Sequence, residues 1–187
     1  AFLVVSLFAA LISELARSTV AFDRWTELFP KSHPPVVFTL FFLACIAVAN
    51  SVVAIAAQIS RQAAPETTGE NFARYGLALL PLVLTSYMAF HLYYLVNLGV
   101  YLPIILWQTF QFELIRELVI TVPPSWVLTG QQVLISAGLM GSLVIMYRFG
   151  RARHSTLLKS LQESMPHCFT AALFCLLALK TIHNFFS

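Results

Sequence analysis

The sequence predicts an all-α integral membrane protein, a bundle of about five transmembrane helices plus one amphipathic or re-entrant helix. Hydrophobic residues make up 59% of the 187 residues and charged residues 10%, whereas soluble domains are typically about half apolar and a quarter charged. The apolar residues also form runs long enough to cross a hydrocarbon core of about 30 Å, which takes roughly 20 helical residues. We therefore predict a single helical membrane domain over residues 1–187.

The apolar run over residues 72–98 is the span around which we expect the other helices to pack. Pro81 removes one backbone donor within it, and a proline inside a helix usually causes a kink. His91 lies well inside the run, one helical turn after Tyr87. Because an ionisable side chain at membrane depth is costly, we expect His91 to face protein, water or a ligand.

The other predicted spans cover residues 1–17, 36–60, 127–149 and 165–186. The first begins on AFLVVSLFAALIS without an initiator Met, so we expect either a processed longer chain or a part of one. The span at 36–60 is rich in alanine, and in the span at 127–149 Gly138 and Gly141 are the expected points of close helix contact. Small residues of this kind let helix backbones approach each other in lipid.

Residues 101–121 are the ambiguous part of the chain. They begin apolar, but glutamine and charged residues accumulate towards their end. A membrane-surface or partly re-entrant amphipathic helix fits this pattern better than a full span.

The basic residues predict the orientation in the membrane. Arg61, Arg74 and the basic segment 148–159 fall on one side of the predicted arrangement, and Arg17, Arg24, Lys31, Arg116 and Lys180 fall on the other. Short cytoplasmic loops carry an excess of Lys and Arg. The compact basic cluster therefore predicts that the 148–159 loop is cytoplasmic and the C-terminus outside, and the expected location is a bacterial inner membrane.

Composition and cysteine positions argue against several classes of function. A formal net charge of +3 is too small to indicate nucleic-acid binding. Cys45, Cys168 and Cys175 all fall inside apolar spans without a C-x-x-C pair, so free cysteine acting as a small hydrophobic residue is the favoured interpretation. We find no arrangement of residues typical of catalysis within this chain, which leaves the role of a subunit in an oxidoreductase complex open.

Two histidines are candidate cofactor ligands. On the predicted topology, His91 and His183 share a leaflet, and two imidazoles from different helices can hold a b-type haem. Tyr87 is a candidate to position the His91 ring, and His33 is a third candidate metal ligand on the same side. Alternatively, His91 is a hydrogen-bond partner for a neighbouring helix and His183 is only interfacial. His167 and His183 are sixteen residues apart and point to nearly opposite helix faces, so they do not form one site.

The segment ARYGLALLPLVLTSYMAFHLYYL is similar to the C-terminal membrane part of membrane-bound polyferredoxins, a family of 4Fe–4S proteins. The order of the helices around it is also similar over most of the chain. The resemblance implies electron transfer between clusters and a quinone, a haem or a partner subunit. The family's cluster-binding cysteines are absent here, so iron–sulfur clusters would belong to a missing portion or to a partner.

Three functions follow from these observations. The first is a membrane module of a redox electron-transfer complex, in contact with the lipid bilayer, other membrane subunits and a quinone. The second is a non-catalytic anchoring or assembly subunit of a larger membrane complex, since small residues could contact other helices. The third is a small transport component, in which Pro81, Thr85, Ser86 and Tyr87 would line a path.

Overall fold

The computed structural model describes residues 1–17, 20–27, 34–62, 66–99 and 123–186. Within these ranges the regular structure is entirely α-helical, which confirms the predicted class. The predicted amphipathic helix at 101–121 lies outside the described residues. The helices are α1 (Phe2–Arg17), α2 (Val20–Thr26), α3 (Pro34–Ser60), α4 (Thr68–Ala78), α5 (Leu80–Gly99), α6 (Pro124–Arg153) and α7 (Leu157–Phe186).

Within the described ranges, four helical segments are long and apolar enough to cross a membrane: Pro35–Ser60, Thr68–Val96, Pro124–Arg153 and Leu157–Asn184. They support an integral membrane protein in contact with the lipid bilayer. The second of them consists of α4 and α5 together. Since α1 has only 16 residues, a fifth crossing over residues 1–17 stays a prediction.

Helix α1 packs inside the bundle against α3, α4, α5 and α7. Val5 and Leu15 are fully buried. Phe8 stacks on Phe174 of α7 with ring centroids 4.6 Å apart and an angle of 9° between the rings. One face of α1 thus belongs to the core, while Phe2, Leu3 and Leu7 are exposed on the other.

The boundary between α4 and α5 lies at Leu79, two residues before the predicted kink at Pro81. The proline ring crowds the carbonyl four residues earlier and supplies no N–H, so the regular ladder is interrupted. The backbone N–H of Leu82 donates to Ser142 Oγ of α6 at 3.2 Å. The interruption is therefore stabilised by a hydrogen bond from the neighbouring helix.

Helices α5 and α6 approach each other closely at two glycines. A Cβ atom at Gly138 would lie 2.9 Å from Leu82 Cα and would overlap Thr85 Oγ1, and one at Gly141 would lie 3.1 Å from Pro81 Cβ. The distances at Gly138 leave no room for a side chain, and the one at Gly141 is tighter than an ordinary van der Waals contact. The predicted close contacts at Gly138 and Gly141 are confirmed.

Helices α6 and α7 extend beyond the predicted span ends at 149 and 165. Because α6 ends at Arg153 and α7 begins at Leu157, the predicted 148–159 loop is mostly helical, with a turn at residues 154–156. Hydropathy marks where a chain leaves the hydrocarbon, whereas a helix continues as long as its backbone hydrogen bonds do. The polar residues at these helix ends are therefore held on rigid backbone.

Two of the basic residues that were predicted to share one side lie together in the structure. Arg74 and Arg153 both pair with Glu66, so they lie at one end of the bundle. A Cβ atom at Gly76 would lie 2.7 Å from Ala1 Cβ, which places the start of α1 at the same end. We call this the Glu66 end; α1 runs from it towards the opposite end, where it finishes at Arg17.

Candidate functional site

A buried carboxylate at Glu163 is the centre of a polar cluster at the Glu66 end. Its side chain is fully buried, and Arg153 Nη1 donates to its Oε1 at 2.6 Å. Tyr75 Oη donates to the same oxygen at 3.1 Å. His154 Nε2 lies 2.8 Å from Oε2. Together with a hydrogen bond from Ser60 Oγ to the Glu163 carbonyl at 2.6 Å, these contacts join α3, α4, α6 and α7.

The short turn between α6 and α7 brings these residues together. His154 caps the end of α6, where its backbone N–H donates to the Gly150 carbonyl at 3.2 Å. A Cβ atom at Gly150 would lie 2.8 Å from the Ser160 carbonyl oxygen, so the two helices touch through backbone there. Because the chain reverses within three residues, Arg153 and His154 point back to Glu163 on the second turn of α7.

The outer part of the cluster contains a second carboxylate. Glu66 pairs with Arg74 at 2.9 Å and also with Arg153. Arg153 Nη1 lies 3.4 Å from Asn71 Oδ1 as well. Two carboxylates thus share two guanidinium groups, and the cluster is electrically balanced when His154 is neutral. Charges taken out of water require such compensation and hydrogen bonding.

The inner part of the cluster consists of two stacked rings. Tyr75 and His167 are fully buried, with ring centroids 3.9 Å apart and 6° between the rings. His167 lies one helical turn after Glu163, on the same face of α7. Its Nε2 atom has no hydrogen-bond partner among the described residues, and the same holds for Asn71 Nδ2 and Ser160 Oγ.

This cluster was not predicted from the sequence. Glu163 precedes the predicted span at 165–186, and His167 was not a candidate ligand. The available signal was the spacing of Ser160, Glu163, Ser164 and His167, which lie three or four residues apart and share one helix face. That signal becomes visible only once the segment before residue 165 is treated as helical.

His91 lies on the surface of the bundle and is exposed. Its ring neighbours belong to α5 itself: Phe90 at 5.2 Å, Tyr87 at 6.4 Å and Tyr94 at 6.5 Å between ring centroids. No hydrogen bond joins the imidazole to the described residues. Tyr87 Oη donates instead to the Leu7 carbonyl of α1 at 2.9 Å.

The other predicted ligands are placed as follows. His183 is exposed near the end of α7. Since α5 and α7 both run away from the Glu66 end, His91 and His183 lie towards the opposite end, but no hydrogen bond or ring contact joins them within the part of the chain described here. His33 lies outside the described residues. Among the residues that are described, no three His, Cys, Asp or Glu side chains form a metal-binding group.

The hydroxyl groups predicted to line a transport path bind backbone instead. Thr85 Oγ1 donates to the Pro81 carbonyl at 2.9 Å, and Ser86 Oγ donates to the Leu82 carbonyl at 2.7 Å. Both hydroxyl groups are thus satisfied within their own helix. Transport therefore stays a prediction, and these two hydroxyl groups do not provide a polar path for it.

An apolar cavity of about 390 Å³ lies between α1, α3 and α7. Its lining includes Phe8, Phe41, Cys45, Val52 and Leu177, and it is almost entirely apolar. The volume is in the range of pockets for small molecules, about 300–1,000 Å³. Because its lining offers no polar group to orient a lipid headgroup, the cavity suits a hydrocarbon chain.

Comparison with known proteins identifies no relative: no family model, curated protein or solved structure matches this chain.

Proposed function

We propose that this protein is a membrane module of a redox electron-transfer complex, which passes electrons between iron–sulfur or haem centres and a quinone or partner subunit. The observation that carries the proposal is the exposed imidazole of His91 within an apolar span. An unpaired histidine at membrane depth is costly and by default has a partner. No hydrogen-bond partner lies among the described residues, so we infer that a cofactor, another subunit or another part of the chain supplies it.

We propose a b-type haem at this surface. His91 and His183 would hold it, and the rings of Phe90 and Tyr94 beside His91 would contact its apolar part. When bound, the haem would supply one-electron chemistry. Because both imidazoles face outwards, the haem would lie between this bundle and a partner. Tyr87 would contribute by fixing α5 against α1 through its bond to Leu7.

Iron–sulfur clusters would be carried by a partner or by a portion of the chain outside this sequence. Cys45 and Cys168 are half-buried, Cys175 is buried, and they lie on α3 and α7. The apolar cavity between α1, α3 and α7 would hold a lipid chain or the tail of a quinone. We place the protein in a bacterial inner membrane with residues 148–159 in the cytoplasm, supported by the basic residues that share the Glu66 end.

A reduced-minus-oxidised optical spectrum of the purified protein tests the haem. We expect a b-type signal that is lost in His91→Ala and kept in Leu95→Ala, since Leu95 is an exposed α5 residue one turn later without a ligating atom. Loss in His183→Ala as well would assign the second ligand. A flat spectrum of the parent protein would remove the haem from the proposal.

The second candidate function is a non-catalytic anchoring or assembly subunit. Among the four candidate spans, the one in α3 is the least buried, since 17% of its most apolar 18 residues lie inside the bundle. Ala44, Ala47 and Ser51 are exposed on it at three- and four-residue spacing, a pattern that lets another helix approach closely. If a partner docks there, Ala47→Leu will reduce the mass of the complex extracted in mild detergent, whereas Ile55→Leu will not. An unchanged mass in Ala47→Leu would exclude this face as the docking surface.

A further inference from the structure

The apolar cavity between α1, α3 and α7 opens at the surface of the bundle. Val48 of α3 and Leu173 and Leu177 of α7 belong to its lining and are nevertheless exposed. Its inner wall includes the buried rings of Phe8 and Phe174, which stack on each other. Since the helices around it are long and apolar enough to lie in a bilayer, the open side faces hydrocarbon, and an acyl chain can enter from there.

The cavity leads to an arginine at the end of the bundle opposite the Glu66 end. Its main lining residues on α3 recur at three- and four-residue spacing and share one helix face: Phe41, Cys45, Val48 and Val52. Phe38 continues this face by one turn towards the start of α3. That start lies at the opposite end, because Ser60 at the other end of α3 bonds to Glu163. The Arg17 guanidinium lies over the Phe38 ring, 5.0 Å from its centroid.

A second cation, Lys180, lies at the same end on α7. It follows the lining residue Leu177 by three residues, so it continues the face of α7 that borders the cavity. Arg17 lies nine residues after Phe8 on α1, about 13 Å further along the helix axis. Lys180 lies six residues after Phe174 on α7, about 9 Å further. Because a lysine side chain extends towards the headgroups, both charges reach a similar depth beyond the stacked rings.

Neither cation has an ion-pair partner among the described residues. Arg17 and Lys180 are exposed, and the ion pairs found within the described ranges all lie at the Glu66 end. The carboxylates of the opposite end are exposed and unpaired with either cation: Glu14, Asp23 and Glu27. Guanidinium and ammonium groups both bind phosphate. An apolar cavity that leads to two such groups therefore matches the two parts of an anionic lipid.

We propose that this cavity binds one anionic phospholipid, with an acyl chain between α1, α3 and α7 and the phosphate at Arg17 and Lys180. Lipid tails are about as apolar as leucine side chains, so the chain alone gives little preference over the bulk bilayer. The two cations supply the selectivity. A quinone tail would fill the apolar part but has no anionic group for them. The site involves neither His91 nor any redox step, so it stands or fails independently of the redox proposal.

Native mass spectrometry of the purified, delipidated full chain with added lipids tests the site. The probes are dioleoyl phosphatidylglycerol, which is anionic, and dioleoyl phosphatidylcholine, which has the same chains and no net charge. A difference between them therefore reports the headgroup. Since each Lys or Arg near an anionic headgroup strengthens binding about fivefold, we expect the first phosphatidylglycerol to bind at least about tenfold more tightly than the first phosphatidylcholine.

Two charge variants locate the phosphate. Arg17→Gln and Lys180→Gln should each weaken the binding of phosphatidylglycerol about fivefold and change that of phosphatidylcholine much less. Arg61→Gln is the matched control, because Arg61 is also exposed but lies at the Glu66 end, so the same charge is removed far from the cavity.

A pair of alanine variants locates the acyl chain. Ala44 and Ala47 are both exposed on α3, but only Ala44 belongs to the lining of the cavity. Ala44→Phe places a ring in the space of the chain, and we expect it to weaken the binding of phosphatidylglycerol about fivefold or more. Ala47→Phe adds the same ring outside the cavity and should leave the binding unchanged.

Several results would overturn the proposal. One is equal binding of the two phospholipids to the parent protein, or no tight binding of either, which would mean that another occupant fills the cavity. Another is that Arg17→Gln and Lys180→Gln bind phosphatidylglycerol as tightly as Arg61→Gln does. Unchanged binding in Ala44→Phe would place the lipid elsewhere on the bundle. Displacement of phosphatidylglycerol by an equimolar amount of ubiquinone would assign the cavity to a quinone tail.

Discussion

Replacing Glu163 by alanine should cost more stability than any conservative change in the same cluster. Removing one member of a buried ion pair typically costs about 3–5 kcal/mol, because the remaining charge is left without compensation. Here Arg153 keeps Glu66 as a second partner, so the lower end of that range, about 3 kcal/mol, is expected. The buried Tyr75 hydroxyl also loses its acceptor.

Glu163→Gln retains an acceptor for Arg153 and Tyr75 but not the charge. Since a hydrogen bond to a charged group contributes about 1.5–3 kcal/mol and a neutral one about 1 kcal/mol, we expect it to cost about 1–2 kcal/mol. The control Glu70→Gln, at an exposed residue of the same end of the bundle, should leave the free energy of unfolding almost unchanged, because glutamine also serves in a capping box.

The free energy of unfolding can be measured by circular dichroism in mixed micelles with increasing denaturing detergent. The expected order of loss is Glu163→Ala, then Glu163→Gln, then Glu70→Gln. If Glu163→Ala lies within about 0.5 kcal/mol of the parent protein, as ordinary surface substitutions do, the carboxylate does not hold the helices together. The reasoning from burial and distance would then be refuted.

Three further predictions concern helix contacts and orientation. Gly138→Leu should lower the free energy of unfolding by about 1–3 kcal/mol or more, because the added side chain overpacks the helix contact. Gly69→Ala, with open space around its Cβ position, should be neutral or stabilising. Equal unfolding free energies for the two variants would contradict the close contact. Ser142→Ala should cost about 1–3 kcal/mol in the same assay, since it leaves the buried Leu82 N–H without its acceptor, and a neutral result would argue against that bond. Ser155→Cys, in the exposed turn, should react with a membrane-impermeant maleimide only after cells are lysed, and labelling of intact cells would place the Glu66 end outside.

Local sequence rules predicted the backbone features well. Pro81 indicated an interruption, because proline lacks a donor and crowds the preceding turn whatever surrounds it. Gly138 and Gly141 indicated close helix contact, because only very small side chains allow it. These features depend on the residue itself, so they could be predicted without knowing the partner helix.

The Glu163 cluster could not be predicted in the same way. Its members come from α3, α4, α6, α7 and the adjoining turns, and bonded pairs are separated by up to 103 residues in the chain. Each charge alone is typical of an interfacial loop, and only the reversal at 154–156 brings Arg153 and His154 over Glu163. Pairing depends on which helix ends meet, and hydropathy contains no information on that.

The two histidines His91 and His167 illustrate the limit most clearly. Hydropathy predicts how deep a residue lies in the membrane, but a helix that is apolar all round gives no indication of which face meets its neighbours. His91, expected to face protein, water or a ligand, is exposed on α5, whereas His167, which was not a candidate ligand, is fully buried against Tyr75. The cofactor proposed for His91 would cover an exposed imidazole, whereas the surroundings of His167 come from its own bundle. The role of each histidine therefore follows from helix packing, which hydropathy alone does not predict.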